Sequence, residues 1–344
     1  MIFKSRKKPA DSAADVQSSS SGKPWWVRIG SVILGILLVV LLGTSWYWSR
    51  TPDIFWVNEK INDERTVIGF ATTDTLIRVA ETLLDKPGGY LSNDMFPPGV
   101  FLDNIPNWEF GVLQQVRDLA RVLRNDYSRS QSQSREDVDL TVAEPKFFFE
   151  HDSWILPATE SEYRDAIDGF RGYRDRLSGL GEADAQFFAR ADNLREWLAQ
   201  VEKRLGSLTR RLGDSVATSV INTDLAGDRA AEANTSLRDS VSVKTSWFEI
   251  DDIFFEARGA SWALVHFFRA AQFDFAEVLA DKNADASVRQ IIRELEASLQ
   301  SLSSPMVMNG GGYGLFANHS LVMANYLARA NAAVINLREL LDQG

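Results

Sequence analysis

The chain has 344 residues, no cysteine and a net charge of −10. Residues 1–28 hold six Lys/Arg against two Asp/Glu, which leaves 31 Lys/Arg, 45 Asp/Glu and a net of −14 for the rest. That balance argues against sequence-independent binding of nucleic acid, which needs cationic surface, and the lack of cysteine removes disulfides and thiol chemistry.

The basic leader 1–28 contains a polar, Ser-rich stretch at 11–22 that has too little apolar surface to bury and reads as a flexible tail. Residues 29–48, IGSVILGILLVVLLGTSWYW, carry no charge. At about 1.5 Å per residue they match a hydrocarbon core of roughly 30 Å. Trp25 and Trp26 precede the run and Trp46, Tyr47 and Trp48 close it, as side chains of the headgroup zone do. Lys4, Arg6, Lys7, Lys8, Lys23 and Arg28 put the basic excess on the N-terminal side, so the expected orientation leaves that end in the cytoplasm. The length of the run and its bulky Trp-Tyr-Trp end favour an uncleaved anchor over a signal peptide.

The remainder, 51–344, reads as an all-α domain. Thr51-Pro52 breaks the anchor helix or re-aims it. A helix is expected over 73–85, opened by a Thr/Asp cap and stopped by Pro87-Gly88-Gly89. Another begins near Asn107, with Trp108, Val112, Val116, Leu119 and Leu123 on one face. Residues 159–178 form the next, with Thr159 and Glu162 as a capping box and Tyr163, Ala166, Phe170, Tyr173 and Leu177 as its seam. After Gly179 and Gly181, a heptad seam runs through Phe187, Ala191, Leu194, Leu198, Val201, Leu205, Leu208 and Leu212. Two seams joined by a short Gly turn predict an antiparallel hairpin. Residues 222–244 lose periodicity and read as a long loop and a possible sub-boundary.

The strongest pattern is one helix over 247–281, about 50 Å long and apolar on several faces, which marks it as central. Helices at 287–302 and 318–341 follow, the last with Met323, Leu327, Ala330, Val334, Leu337 and Leu341 as its seam. Ala324, Ala328 and Ala332 line a second stripe for close approach of a partner backbone. Gly88-Gly89-Tyr90 and Gly311-Gly312-Tyr313 each join two helices, which suggests a helix–GGY–helix duplication within an elongated bundle.

Four patterns carry candidate chemistry. Glu249, Asp252 and Glu256 share a helical face suited to a cation or acid–base work, and equally to the positive end of a helix dipole. Arg117, Arg121 and Arg124 form a basic stripe for a phosphate, a lipid headgroup or an acidic polymer, or for neighbouring carboxylates. Ser130, Gln131, Ser132 and Gln133 belong to a polar run that is either a recognition loop or solvated surface. Gly311, Gly312 and Tyr313 offer backbone amides to a phosphate, or simply connect two helices. His151, His266 and His319 are far apart in sequence, and no nucleotide-loop, metalloprotease or nucleophile-elbow motif occurs. Neither a cofactor nor a metal is expected.

The strings LLDKPGGYLSND, PPGVFLDNIPNWEFGVLQQVRDLARVLRND, SRSQSQS, ESEYR, EARGASWAL, IIRELE and NHSLVMANYLARANAAVINLRELL resemble the bacterial family named domain of unknown function 2333. The likeness covers most of the chain from about residue 66 onward, with the anchor. It implies a proteobacterial inner-membrane protein with one N-terminal anchor and brings no reaction, cofactor or catalytic residue. The expectation is therefore a single-pass inner-membrane protein, held in the bilayer by 29–48, with 51–344 in the periplasm. Its expected role is a scaffold or interaction module of the cell envelope with a protein partner or self-association. The alternatives are an anchored enzyme acting on cell wall or lipid, and a binder of lipid or another small amphiphile.

Overall fold

The computed structural model describes residues 25–57, 67–130, 135–181, 185–216, 218–221, 240–304, 306–311 and 315–343. The expected flexible tail at 11–22 lies outside them. The chain divides into two units, Met1–Gly43 and Thr44–Gly344. Helix α1 (Trp25–Trp48) has no buried residue and is the one helix, among the described residues, long and apolar enough to cross a membrane. It stops ahead of Pro52, whose ring cannot continue the helical hydrogen-bond ladder.

The larger unit contains α2 (Phe70–Asp85), α3 (Asn104–Val122), α4 (Val138–Phe147), α5 (Thr159–Leu177) and α6 (Ala191–Gly213). It continues with α7 (Ile250–Asp274), α8 (Ala276–Asp281), α9 (Asp285–Ser298) and α10 (His319–Asp342). The helical seams face inward as their spacing predicts. Trp108, Val112, Val116, Leu119 and Leu123 are buried on or just beyond α3, and Leu194 through Leu212 on α6, which begins at Ala191 and leaves Phe187 of the expected seam in the coil before it. The six seam residues of α10 are buried too, whereas Ala328 and Ala332 are exposed, so the second alanine stripe is not a packing surface here.

α7 is the central element, packed by α2, α3, α6, α9 and α10. It is shorter than the pattern over 247–281. A 3-10 turn at Trp247–Glu249 precedes it, and the backbone leaves the helix at Phe275 (φ −107°, ψ 19°) before α8. Phe275 is buried there against the Tyr127 and Phe187 rings, at 5.2 and 5.8 Å. α3 and α7 run parallel and touch backbone to backbone. A Cβ on Gly259 would lie 2.0 Å from the Trp108 carbonyl oxygen, and one on Gly111 would lie 2.0 Å from that of Glu256. Only glycine permits that approach at both places.

Partner choice differs from the expected hairpin. α5 packs on α4 and α2, while α6 packs antiparallel on α10, with Arg195 meeting Asp342 and Glu202 meeting Arg338. α4 was not legible: it holds Pro145 and buries only Leu140, Ala143, Glu144 and Phe147. Asp137 starts it by accepting the amides of Asp139 and Leu140 at 3.0 and 3.3 Å. Two expected caps also differ. α2 begins after Gly69, in the left-handed region (φ 93°), and its amides are satisfied from α7. Thr159 is the first residue of α5 and bonds the preceding loop, donating to Glu150 at 2.8 Å, while Glu162 takes Lys146 instead of the helix start.

Strands β1 (Thr218–Ile221) and β2 (Ser240–Val243) pair antiparallel, Thr218 opposite Val243 and Ile221 opposite Ser240. β2 lies inside the stretch 222–244 read as loop, its four residues being too few for a clear period of two. Residues 222–239 are outside the described ones, as are Gly312 and Tyr313 of the second GGY string.

One end of this unit gathers the starts of α3, α5, α7 and α10 with the ends of α2, α6 and α9. Lys86 reaches Glu109 there, Asn93 donates to Ser153 at 2.9 Å, Asn107 to Asp252 at 2.6 Å and Asn309 to Ser215 at 2.7 Å. Trp48 belongs to the same end. Gly88 (φ 90°) lies so close that a Cβ would come 2.8 Å from the Trp48 ring.

Candidate functional site

The arginine stripe on α3 is turned toward α4. Arg117 donates to the carbonyls of Phe147 and Phe149 at 2.7 and 2.9 Å. Arg124 pairs with Glu144 at 2.9 Å and with Glu136 at 3.2 Å. Arg121, more exposed, lies 3.7 Å from Glu144 and over the Phe148 ring. The three guanidinium groups thus hold α4 and the segment after it to α3.

The acidic face is divided between neighbours. Glu249 is exposed in the 3-10 turn. Asp252 turns to α3 and accepts Asn107. Burial, and then the charges of Asp251 and Asp103, push its carboxyl up to about 6. Glu256 turns to α6 and pairs with Arg211 at 2.8 Å. Among the described residues no group of three or more His, Asp or Glu side chains is placed to hold a metal.

Ser130 is half-buried beyond the π-helical turn Leu123–Tyr127 and borders a polar cleft with Asp126, Arg190 and Asn193. Gln131, Ser132 and Gln133 lie outside the described residues. Gly311 is exposed in the α9–α10 connection, where Asn318 caps α10 by accepting the Leu321 amide at 2.8 Å and donates to Gly310. The stripe is engaged with α4, whereas the acidic face is divided between α3 and α6.

Of the histidines, His266 is buried in α7. Its Nδ1 lies 2.7 Å from the Trp262 carbonyl and its Nε2 accepts the Phe55 amide at 3.1 Å. The proton therefore sits on Nδ1, and burial pulls the ring's pKa down to about 3. Phe55 stacks on it at 3.9 Å, fixing the strap after α1 to the core.

A site without a counterpart among the sequence candidates lies between α7, α9 and α10. A cleft of about 670 Å³ is walled by Phe254, Leu302, Met308 and Val322, with Arg258 and His319 among its polar groups and the serines at 298, 301, 303 and 304 along one side. That volume is in the range of about 300–1,000 Å³ usual for ligand pockets. Arg258 is only 9% exposed. It donates to the carbonyls of Gln300 and Leu299, at 2.8 and 3.0 Å, beyond the end of α9. No carboxylate pairs with it among the described residues, and burial lowers its pKa. The signal in the sequence was a lone cation between Ala257 and Gly259, four residues after Phe254 in an otherwise apolar stretch.

A family described as "Uncharacterized protein conserved in bacteria (DUF2333)" has a model that matches residues 19–344. The chain belongs to this family. The match takes in α1 and the whole helical body, and agrees with the resemblance carried by the seven strings. No curated protein and no solved structure matches the chain.

Proposed function

We propose that this DUF2333 chain is a non-enzymatic interaction module of the cell envelope. It is anchored in the inner membrane by α1, with its helical body on the periplasmic side. The basic leader and the aromatic edges of α1 support that orientation. The observation that carries the reading is the apolar surface at the Trp48 end of the body. Loop tips there expose Phe96, Phe101, Leu156 (94%), Phe248 (86%), Leu315 (100%) and Phe316. Several exposed apolar side chains gathered at one end favour an interaction surface, and the nearest apolar phase to a chain anchored by α1 is the bilayer interface. The acidic remainder of the body is repelled by anionic headgroups, so contact is confined to this end.

The lack of cysteine makes the test direct. Leu156→Cys, Phe248→Cys and, at the far end, Glu277→Cys are each introduced singly. In cells with a permeabilised outer membrane, an impermeant maleimide labels Glu277→Cys if the body is periplasmic. In proteoliposomes, a lipid-borne nitroxide quenches a fluorophore at Leu156→Cys and Phe248→Cys and spares Glu277→Cys. Labelling only after lysis, or equal quenching at all three positions, overturns the proposal.

A further inference from the structure

We infer that the cleft between α7, α9 and α10 binds an anionic amphiphile, its oxyanion head on Arg258 and its acyl chain along Phe254, Leu302, Met308 and Val322. A guanidinium has five N–H donors in a fork suited to a carboxylate or phosphate. Arg258 spends two on carbonyl oxygens and lines the cleft wall. A buried cation without a counter-charge is costly, and an anion entering beside it removes that cost. His319 supplies a second donor. Its Nδ1 accepts the Met308 amide at 2.9 Å, so the neutral ring carries its proton on Nε2.

Beyond these two groups, Phe254, Leu302, Met308, Val322 and Met323 offer an apolar track for a chain of methylenes, while the serines after α9 lie along one side of it. The cleft also shares an end of the body with Trp48, because Arg258 meets the end of α9 and His319 opens α10. Lipid from the adjoining bilayer is the nearest supply of such molecules. Free fatty acid and anionic lysophospholipid present the same chemistry and are separated by the test.

The full chain is purified in a neutral maltoside and examined by native mass spectrometry with oleate, lysophosphatidylglycerol or uncharged monoolein. Wild type is expected to retain one or both anionic probes roughly tenfold or more over monoolein. The preferred probe identifies the head. Arg258→Met is expected to abolish the preference. Val322→Trp, which fills the cleft from its exposed rim, is expected to lower retention of all three. Should Arg258→Met lose its helical circular dichroism, Val322→Trp decides the matter. Undiminished anionic probe in a folded Arg258→Met or in Val322→Trp, or a wild type that does not discriminate, overturns the inference. The nitroxide quenching reads the docking end independently, so either proposal can fail alone.

Discussion

Asp274, the last residue of α7, accepts the Thr72 amide at 2.6 Å, and its other oxygen takes the Gly69 amide at 2.8 Å. The first turn of α2 is therefore capped by a side chain about 200 residues away in sequence. Helix starts leave amides without partners, and here they are buried. Asp274→Ala is expected to cost about 2 kcal/mol, with Asp274→Asn intermediate because its one oxygen serves a single amide. Denaturant unfolding of the three chains checks this.

The α3–α7 crossing gives an opposite sign to the usual glycine rule. In an open helix Gly→Ala stabilises by about 1 kcal/mol. Gly111→Ala and Gly259→Ala instead drive a methyl into a facing carbonyl and force the backbones apart. Each is expected to destabilise by about 2 kcal/mol or more. Gly213→Ala, with open space around it, is the control and leaves the melting temperature unchanged or higher.

His266 confers a sensitivity to acid. Its folded pKa of about 3 lies below the ordinary 6.5. The unfolded chain takes up a proton below 6.5 that the folded chain refuses, so the contribution is full above 6.5 and is lost as pH falls toward 3. The melting temperature of His266→Gln is expected to fall less than that of wild type between pH 7.5 and pH 5, a difference read by thermal scanning at the two values.

Asp252 acts in the other direction. Its folded pKa of about 6 exceeds the ordinary 3.8, so its favourable contribution is full below 3.8 and is lost as pH rises through 6. Asp252→Asn, which keeps an acceptor for Asn107, is expected to raise the melting temperature at pH 8 and to leave it unchanged at pH 3.5. A gain of equal size at both values would show that charge is not the cause.

Most of the helices were legible because a face repeats every three or four residues whatever lies opposite. Leu194 to Leu212 and Met323 to Leu341 are buried as spaced. α4 escaped because Pro145 and few apolar positions blur its period. The candidate site escaped for another reason. Arg258 is one cation in EARGASWAL, and its meaning depends on carbonyls at Leu299 and Gln300 and on the absence of a nearby carboxylate among the described residues.

The sequence by itself determined an uncharged span of membrane length, an acidic helical body and the inward face of each long helix, because hydropathy and periodicity are local properties. Only the tertiary structure decided that α6 lies on α10 rather than α5, that Asp274 caps α2, and that Arg258 lines an apolar cleft. Apolar burial has no direction and does not name its partner. Pairing is selected by close fits such as Gly111 and Gly259 against facing carbonyls, which exist only once distant segments have met.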